Sequence, residues 1–334
     1  MTESLGDSYD VVVVGGGAAG LNGALMLARS RRAVVVVDAG EPRNAPADGV
    51  HGLLGREGTP PAELLARGRE EVRSYGGRVV SGRVDAVAFA ERGFAVTLAD
   101  GRTVRARRLL VAAGLADELP DVPGLRERWG RDVLHCPYCH GYEFRDRAVG
   151  VLARGPVSVH QALLFRQLTD DVVLFADGVP PGAEDSERLA ARGVRVVPGA
   201  VAAVETEDDR LAGVRLVDGT VVARDALVVA PRAVARVGFL EGIGLRPVEH
   251  PAGVGEHLPA DPAGRTDVPG VWVAGNATDP VAQVGASAAA GAAAGAQINA
   301  DLVAEETREA VESGRDPVTA LGGMASVGGR GHAG

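Results

Sequence analysis

Short unbroken runs of apolar, mostly β-branched residues recur along the chain and are typical of strands buried on both faces of a sheet. The first two runs cover residues 9–14 and 33–37, and the second half has equivalents at residues 148–152 and 172–175. A turn and an apolar stretch of helical length separate the two members of each pair. The pattern predicts two βαβ units with parallel strands, which is the α/β class.

A hairpin follows each βαβ unit, so the chain contains an internal repeat. Residues 94–98 and 103–107 flank an Asp-Gly turn, and residues 214–224 repeat this pattern around a second Asp-Gly pair. Each hairpin is followed by a further apolar run, at residues 109–112 and 227–230. We therefore predict two tandem Rossmann-like, dinucleotide-binding domains.

The turn after the first strand has the spacing of a dinucleotide site. Gly15, Gly17 and Gly20 form Gly-x-Gly-x-x-Gly before the first helical stretch, and Asp38 ends the second strand. Glycines at this spacing allow a tight turn and let a pyrophosphate approach the backbone at the positive end of a helix. The carboxylate after the second strand is placed to bind a ribose hydroxyl. We predict that a dinucleotide binds at this turn.

The equivalent turn of the second unit lacks this spacing. Arg154 and Pro156 stand where glycines would be expected, and Asp177 follows the next strand. Proline removes an N–H donor, and the arginine side chain crowds a loop that needs an accessible backbone. Asp177 would repel the 2′-phosphate of NADPH, although it could accept the 2′-hydroxyl of NADH. NAD(P)H binding is therefore doubtful, and both an NADH site and a lost site remain open.

The only two cysteines, Cys136 and Cys139, form a Cys-x-x-Cys motif flanked by His135 and His140. Two thiols at this spacing can close into a disulfide and reopen, and a protonated imidazole nearby stabilises the reactive thiolate. Cys-x-x-Cys-His is also the attachment motif of c-type haem. A zinc site would need a second pair of ligands, and inert buried cysteines would not need flanking histidines. The motif alone favours the redox disulfide and leaves the others open.

Composition and charge narrow these alternatives. The chain has 334 residues, 46% of them hydrophobic, and a net charge of −9, which suits two packed domains and disfavours nucleic acid or an anionic membrane as partner. All 35 basic residues are arginine, which excludes Schiff-base chemistry. We recognise no signal peptide and no membrane-spanning segment, so we expect a cytoplasmic protein. That location disfavours haem and favours a catalytic over a structural disulfide.

The last ordered elements are predicted to be a strand at residues 270–274 and a helix rich in alanine and glycine that ends near residue 304. Gly275 and Asn276 lie between them. Small residues here would let a ring system lie against the backbone, and the alternative is a tightly packed core helix. Residues 313–334 are rich in glycine and are predicted to form a flexible tail.

Together these motifs resemble the low-molecular-weight thioredoxin reductases, which are FAD-dependent disulfide oxidoreductases. The matching segments are residues 15–20, residues 111–114, residues 271–276 and the Cys-x-x-Cys pair, and the resemblance extends to about residue 312. It implies a homodimer and an FAD domain that is split in sequence by an inserted NAD(P)H-like domain.

The resemblance also implies domain limits and site residues. We expect an FAD-binding domain at residues 1–117 and 247–312, and an NAD(P)H-like domain with the cysteines at residues 118–246. In such a protein Cys139 would face the flavin, and Cys136 would exchange with substrate. No metal is expected. The expected FAD contacts are Gly15, Gly17, Ala18, Ala19, Gly20, Asp38, Arg43, Asn44, His51, Gly114, Gly275, Asn276, Gln283 and Val284.

Departures from the reductase pattern suggest a specialised branch. The reductases usually carry aspartate at the positions of His140 and Asn276, and their nucleotide turn is intact. Cys-x-x-Cys-His-Gly-Tyr-Glu is closer to dithiol oxidases that close disulfides in natural products such as gliotoxin and holomycin. This resemblance implies oxidation of a small-molecule dithiol through Cys136, Cys139 and FAD to oxygen, with His140 as acid and base. The alternatives are an NAD(P)H-dependent reductase of a thioredoxin-like protein and a flavin redox sensor without turnover.

Overall fold

The computed structural model describes residues 5–314. Residues 1–4 and 315–334, which hold the start of the first predicted domain and most of the predicted tail, lie outside the described residues. The first part of the chain forms β1 (Ser8–Val14), α1 (Ala18–Arg29), β2 (Val34–Asp38), α2 (Pro61–Ser74), β3 (Arg78–Ser81), β4 (Val84–Phe89), β5 (Phe94–Leu98) and β6 (Thr103–Val111).

The remaining elements begin with strands and short helices, continue with a run of strands and end in one long helix. They are β7 (Leu115–Glu118), β8 (Val133–Leu134), α3 (Pro137–His140), β9 (Val149–Leu152), α4 (Pro156–Phe165), β10 (Val172–Phe175), α5 (Ala183–Ala191), β11 (Arg195–Val197), β12 (Val201–Glu207), β13 (Arg210–Leu216), β14 (Val221–Ala223), β15 (Ala226–Val228), β16 (Arg232–Ala235), β17 (Val248–Glu249), β18 (Glu256–His257), β19 (Val271–Val273) and α6 (Val284–Gly314).

The first domain is built on a seven-stranded sheet of order β3-β2-β1-β6-β5-β4, with β19 also pairing with β6. The β-branched run of β1 is buried on both faces, since Val12 packs in one core while Val11 and Val13 pack in the other. The predicted hairpin strand at residues 103–107 and the apolar run after it form one continuous strand, β6. One edge of β6 pairs with β1, and its other edge pairs with β5 and β19.

The second domain repeats this plan with a smaller sheet. Its five strands are parallel in the order β11-β10-β9-β15-β8, and the predicted second hairpin forms the separate antiparallel sheet β12-β13-β14. The chain leaves the first sheet through β7 and returns through β16, which pair antiparallel. Because β19 and α6 come after this return, the first domain is split in sequence, as predicted.

Helix α6 packs closely against α1 and runs further than predicted. A Cβ atom on Gly291 would lie 1.9 Å from the carbonyl oxygen of Ala19, so this contact requires glycine. The expected end near residue 304 is wrong, because α6 continues to Gly314. Glu305 and Glu306, beyond the expected end, form ion pairs of 2.9 and 2.7 Å with Arg107 on β6. The first two residues of the predicted tail are therefore helical.

None of the helices within residues 5–314 combines the length and apolar character needed to cross a membrane.

Candidate active site

The two cysteines form a disulfide at the start of α3, directly after β8. Their Cα atoms lie 5.3 Å apart, and the backbone N–H of Cys139 donates to Cys136 Sγ at 3.2 Å. Pro137, which has no N–H to offer, occupies the first position of this short helix. Both cysteines are half-buried, and Tyr138 between them is exposed. The disulfide is therefore rigidly presented and accessible.

His140 follows the disulfide and is half-buried. Burial lowers its pKa below the ordinary value, while the carboxylates of Glu143 and Asp48 oppose that shift. Its ring makes an edge contact with Phe144, with centroids 5.8 Å apart. A lowered pKa keeps the imidazole neutral near neutral pH, so it can accept a proton beside the sulfurs.

His135, before the disulfide, is held by a residue that the sequence analysis did not identify. Gln161 on α4 donates through Nε2 to the carbonyl oxygen of His135 at 2.8 Å, and the Gln161 side chain is buried. Burial and the guanidinium of Arg43 lower the pKa of His135. This imidazole therefore stays neutral, and its backbone is fixed next to Cys136.

One loop of the first domain, residues 43–58, lies close to the segment that carries the disulfide. His51 Nε2 lies 3.6 Å from Glu143 Oε1, and a Cβ atom on Gly130 would lie 2.5 Å from Pro46 Cβ. We call this segment loop 43–58. It contains Arg43, Asn44 and His51, which the resemblance assigned to FAD.

These three residues differ in the reach of their contacts. Arg43 forms a two-bonded ion pair with Asp117 at 2.8 and 2.7 Å and donates to the carbonyl oxygen of Pro280. His51 Nδ1 lies 2.6 Å from Glu57 Oε1. The carbonyl oxygen of Asn44 accepts the N–H of Ala47 within a turn. Arg43 thus ties loop 43–58 to the connecting strand β7.

The first glycine turn leaves room for a phosphate group. Gly15 has φ +105°, and a Cβ atom on Gly17 would meet nothing within 4 Å. Ala18, Ala19 and Gly20 form the first turn of α1, whose leading N–H groups point out of the helix end. The open backbone at the head of a twelve-residue helix fits a dinucleotide pyrophosphate.

Asp38 is fixed beside this turn. Its Oδ1 accepts the N–H groups of Gly16 and Gly40 at 3.3 and 3.0 Å, and its Oδ2 pairs with Arg69 at 2.9 Å. Arg69, on α2, was not among the predicted residues. Sequence spacing places the carboxylate at the turn but gives no sign of its long-range arginine partner.

The remaining predicted contacts lie on the segments that follow β6 and β19. Gly114 has φ +69° and open space where a Cβ would be, and Gly275 has φ +73° and packs on Ala19. Asn276 donates through Nδ2 to the carbonyl oxygens of Asp279 and Ala282, at 3.0 and 2.9 Å. Its amide therefore shapes the loop before α6.

Gln283 and Val284 bring that loop to the disulfide. Val284 begins α6, and Gln283 Nε2 lies 3.9 Å from Cys136 Sγ. The contact reaches the cysteine that the resemblance assigned to substrate exchange. The glycine turn, the Gly275 segment and the disulfide thus converge on one site, with backbone openings that fit FAD.

In the second-domain turn, polar groups of the chain pair with one another. The N–H of Arg154 donates to the buried Ser158 Oγ at 2.9 Å, and Arg154 Nη1 lies 3.8 Å from Asp177 Oδ2. Asp177 Oδ1 accepts the N–H of Val201 at 2.8 Å. The sequence analysis treated Arg154 and Asp177 separately, whereas the structure pairs them at the position where a nucleotide would need free donors.

No group of three or more potential metal ligands occurs among residues 5–314.

Comparisons with known proteins agree with this architecture. Residues 9–296 match the family model of pyridine nucleotide-disulphide oxidoreductases. The chain is 33% identical over 294 residues to thioredoxin reductase tcpT of Claviceps purpurea, covering 82% of this chain and 88% of that protein. Its fold superposes on the crystal structure of HlmI with a TM-score of 0.87 and 47% identity, covering 95% of this chain and 99% of HlmI.

A second solved structure extends the comparison. The oxidoreductase from Agrobacterium tumefaciens is 37% identical with a TM-score of 0.83, covering 89% of this chain and 99% of that chain. The chain belongs to the pyridine nucleotide-disulphide oxidoreductase family, and it is a thioredoxin reductase-like, FAD-dependent disulfide oxidoreductase.

Proposed function

We propose that the protein oxidises small-molecule dithiols to disulfides through Cys136 and Cys139, with FAD as cofactor and oxygen as the final acceptor. The observation that carries this proposal is the accessible disulfide next to an imidazole whose pKa is lowered by burial. The exposed side chains of Tyr138 and Tyr142 lie on the same segment and suit a small apolar substrate better than a charged one.

The first chemical step is thiol–disulfide exchange. A substrate thiolate attacks Cys136 Sγ, the bond between the two cysteine sulfurs breaks, and its electron pair leaves on Cys139 Sγ. The second substrate thiolate then attacks the substrate sulfur of the mixed disulfide and releases Cys136 as a thiolate. The substrate is oxidised by two electrons, and the cysteine pair is reduced by the same two electrons.

His140 serves as the proton acceptor in this step. A substrate thiol is mostly protonated at neutral pH, and only its thiolate attacks. A neutral imidazole beside Cys139 can take that proton, and general-base assistance of this kind contributes on the order of 10²–10⁴ in rate.

FAD would be held by the glycine turn at Gly15 and Gly17, by Asp38 and by the Gly275 segment, and the backbone is open at Gly17 and at Gly114. When bound there, it would supply the two-electron chemistry that carries electrons from the reduced cysteines to oxygen. The first-domain residues orient it, while the cysteines exchange with substrate.

Oxygen is proposed as acceptor because the second-domain turn is poorly suited to a nicotinamide nucleotide. The N–H of Arg154 is already used by Ser158, and the Arg154 side chain faces Asp177 across the turn. A nucleotide phosphate needs several free N–H donors at close range. The name of the related thioredoxin reductase tcpT of Claviceps purpurea favours a second candidate, a reductase of a thioredoxin-like protein.

Dithiothreitol oxidation in air, without nucleotide, tests the proposal. We expect about one peroxide per disulfide formed, because each dithiol supplies two electrons and oxygen accepts two to give peroxide. Cys139→Ser is the control for oxidation by free flavin alone. Reduction of a disulfide substrate at the expense of NADH or NADPH would argue for the reductase, and no oxidation of dithiothreitol would argue for the sensor.

A further inference from the structure

His51 has an acidic partner at each of its two ring nitrogens. Nδ1 lies 2.6 Å from Glu57 Oε1, and Nε2 lies 3.6 Å from Glu143 Oε1. The second oxygen of Glu57 accepts the N–H of Gly52 at 3.0 Å, which fixes the carboxylate. The side chain of His51 is 24% exposed and that of Glu57 is 67% exposed, so this chain of groups leads from the site towards solvent.

The same carboxylate, Glu143, is three residues after His140 in the sequence, and its negative charge acts on His140. The charges that act on His140 come from Glu143 on its own segment and from Asp48 and His51 on loop 43–58. The two carboxylates raise the pKa of His140 and a positive charge on His51 lowers it, while burial lowers it most. A positive charge on His51 therefore disfavours a proton on His140, which suits transfer between them rather than storage on both.

The reaction requires such a route, because each dithiol carries two thiol protons. A single imidazole can hold only one of them, and His140 is half-buried. With Nδ1–H donating to Glu57, Nε2 of a neutral His51 is free to accept a proton. That nitrogen is the one that faces Glu143.

We propose that His51, held by Glu57, is a positioning residue that takes the substrate proton from His140 by way of Glu143 and releases it to solvent. The inference rests on the proposed dithiol chemistry. The step balances in atoms and electrons. A bond from the substrate sulfur to Cys136 replaces the bond between Cys136 and Cys139, and the electron pair ends on Cys139 Sγ. The thiol proton passes from His140 to Glu143, then to His51 and then to water.

Reduction of the cysteine disulfide by dithiothreitol without oxygen isolates this step. Bleaching of the flavin absorbance by the reduced cysteine pair would be followed in a stopped-flow instrument between pH 6.5 and pH 9 for the wild type, His51→Gln and Glu57→Gln. We expect His51→Gln to be about tenfold slower near pH 6.5 and equal to wild type near pH 9, where thiols ionise unaided. Glu57→Gln should show the same trend with a smaller deficit.

Matched controls separate this role from damage to the fold. His160 on α4 and Glu70 on α2 are exposed, so His160→Gln and Glu70→Gln should match the wild type at every pH. FAD content should be unchanged in Glu57→Gln and in both controls, and the rate of His51→Gln is compared per bound FAD. Damage to the fold would instead slow exchange by the same factor at every pH.

Three results would overturn the inference: a wild-type rate in His51→Gln, a deficit independent of pH, or loss of FAD from both loop variants. The proposed function fails separately, since normal anaerobic exchange without peroxide formation in air would remove oxygen as acceptor and leave the relay intact. A wild type that dithiothreitol cannot reduce would overturn both.

Discussion

The side chains around the disulfide are held by contacts that depend on their particular chemistry. Asn276 donates two hydrogen bonds to carbonyl oxygens, Gln161 donates to the backbone before Cys136, and Asp38 accepts two N–H groups and an arginine. Each contact joins a functional residue to a segment far away in sequence or to a loop. Single substitutions here should therefore change cofactor binding or exchange more than their size suggests.

Substitution of each cysteine should distinguish their roles. Cys136→Ser and Cys139→Ser should both abolish dithiol oxidation, because neither variant can form the exchanging disulfide. A thiolate-to-flavin charge-transfer band in the absorption spectrum is expected only when the cysteine facing the flavin remains, which the resemblance assigns to Cys139. The band should appear in Cys136→Ser alone. Its appearance in Cys139→Ser would reverse the assigned roles of the two cysteines. Gln283 is an expected FAD contact that lies 3.9 Å from Cys136 Sγ, so the comparison also tests whether Cys136 faces the flavin.

Asn276→Asp should weaken the loop that precedes α6. A carboxylate cannot donate to the carbonyl oxygens of Asp279 and Ala282, and it would place a negative charge against them. We expect a loss of about 1–3 kcal/mol in unfolding free energy and faster release of FAD, measured by flavin fluorescence on heating. Asn299→Asp is the control, because the Asn299 oxygen accepts from Arg32 and a carboxylate can do the same. Equal flavin release from both variants would contradict the prediction.

At the scale of elements, the close packing of α1 on α6 links the core to the cofactor turn. Ala19 lies in the first turn of α1, and its carbonyl oxygen lies where a Cβ on Gly291 would be. A side chain at this position must push α1 away from α6. Because α1 carries the phosphate-binding turn, a packing change in α6 should reach the flavin.

Gly291→Val tests this coupling. We expect a loss of about 2–3 kcal/mol in unfolding free energy together with lower FAD content, since both helices must separate to admit the side chain. Ala290→Val, on the exposed side of the same helix, is the control for the lower helix propensity of valine. If Gly291→Val retained full FAD content at reduced stability, the packing and the cofactor turn would not be coupled.

The last turns of α6 are held to the sheet by ion pairs, which predicts a pH dependence. Arg32 and Arg107 lower the pKa of Glu306 from 4.5 to about 2. Because the folded pKa is depressed, the stabilisation is present above pH 4.5 and is lost as the pH falls towards about 2. Glu306→Gln should therefore lower the melting temperature at pH 7, and its difference from wild type should shrink in acid.

Glu312→Gln, on the same helix and exposed, is the control for the loss of one charge. Differential scanning calorimetry at pH 7 and near pH 3 measures the effect. A difference between Glu306→Gln and wild type that grows in acid would contradict the assignment.

For the whole molecule, local pattern predicted the architecture but not the contacts between segments. The strands β1, β2, β9 and β10 and the glycine turn depend on neighbouring residues, so apolar runs and spacing revealed them. The approach of His51 to Glu143, the reach of Gln161 to His135 and the pairing of Asp38 with Arg69 join distant segments. The same is true of the end of α6, where arginines on β6 extend a helix whose own composition suggested an earlier stop.

The proposed choice of oxygen over a nicotinamide nucleotide as electron acceptor rests on the difference between the two domains. The first domain keeps an open turn at Gly17, whereas the second-domain turn carries the Arg154–Asp177 pair. Micromolar NADPH should therefore leave the flavin absorbance of the wild type unchanged without oxygen, while dithiothreitol should bleach it.

Asp177→Asn separates the effect of the negative charge from the effect of the occupied donors in the second-domain turn. The amide oxygen of asparagine can still accept the N–H of Val201, so the turn should persist while the negative charge is removed. If charge repulsion alone excludes a 2′-phosphate, this variant should be reduced by NADPH faster than the wild type. If the occupied donors of the turn also matter, NADPH should remain ineffective until Arg154 is replaced as well, because its side chain would still crowd the site. Rapid bleaching of the wild type by NADPH would refute oxygen as the usual partner, and rapid bleaching by NADH alone would make Asp177 the residue that selects the nucleotide.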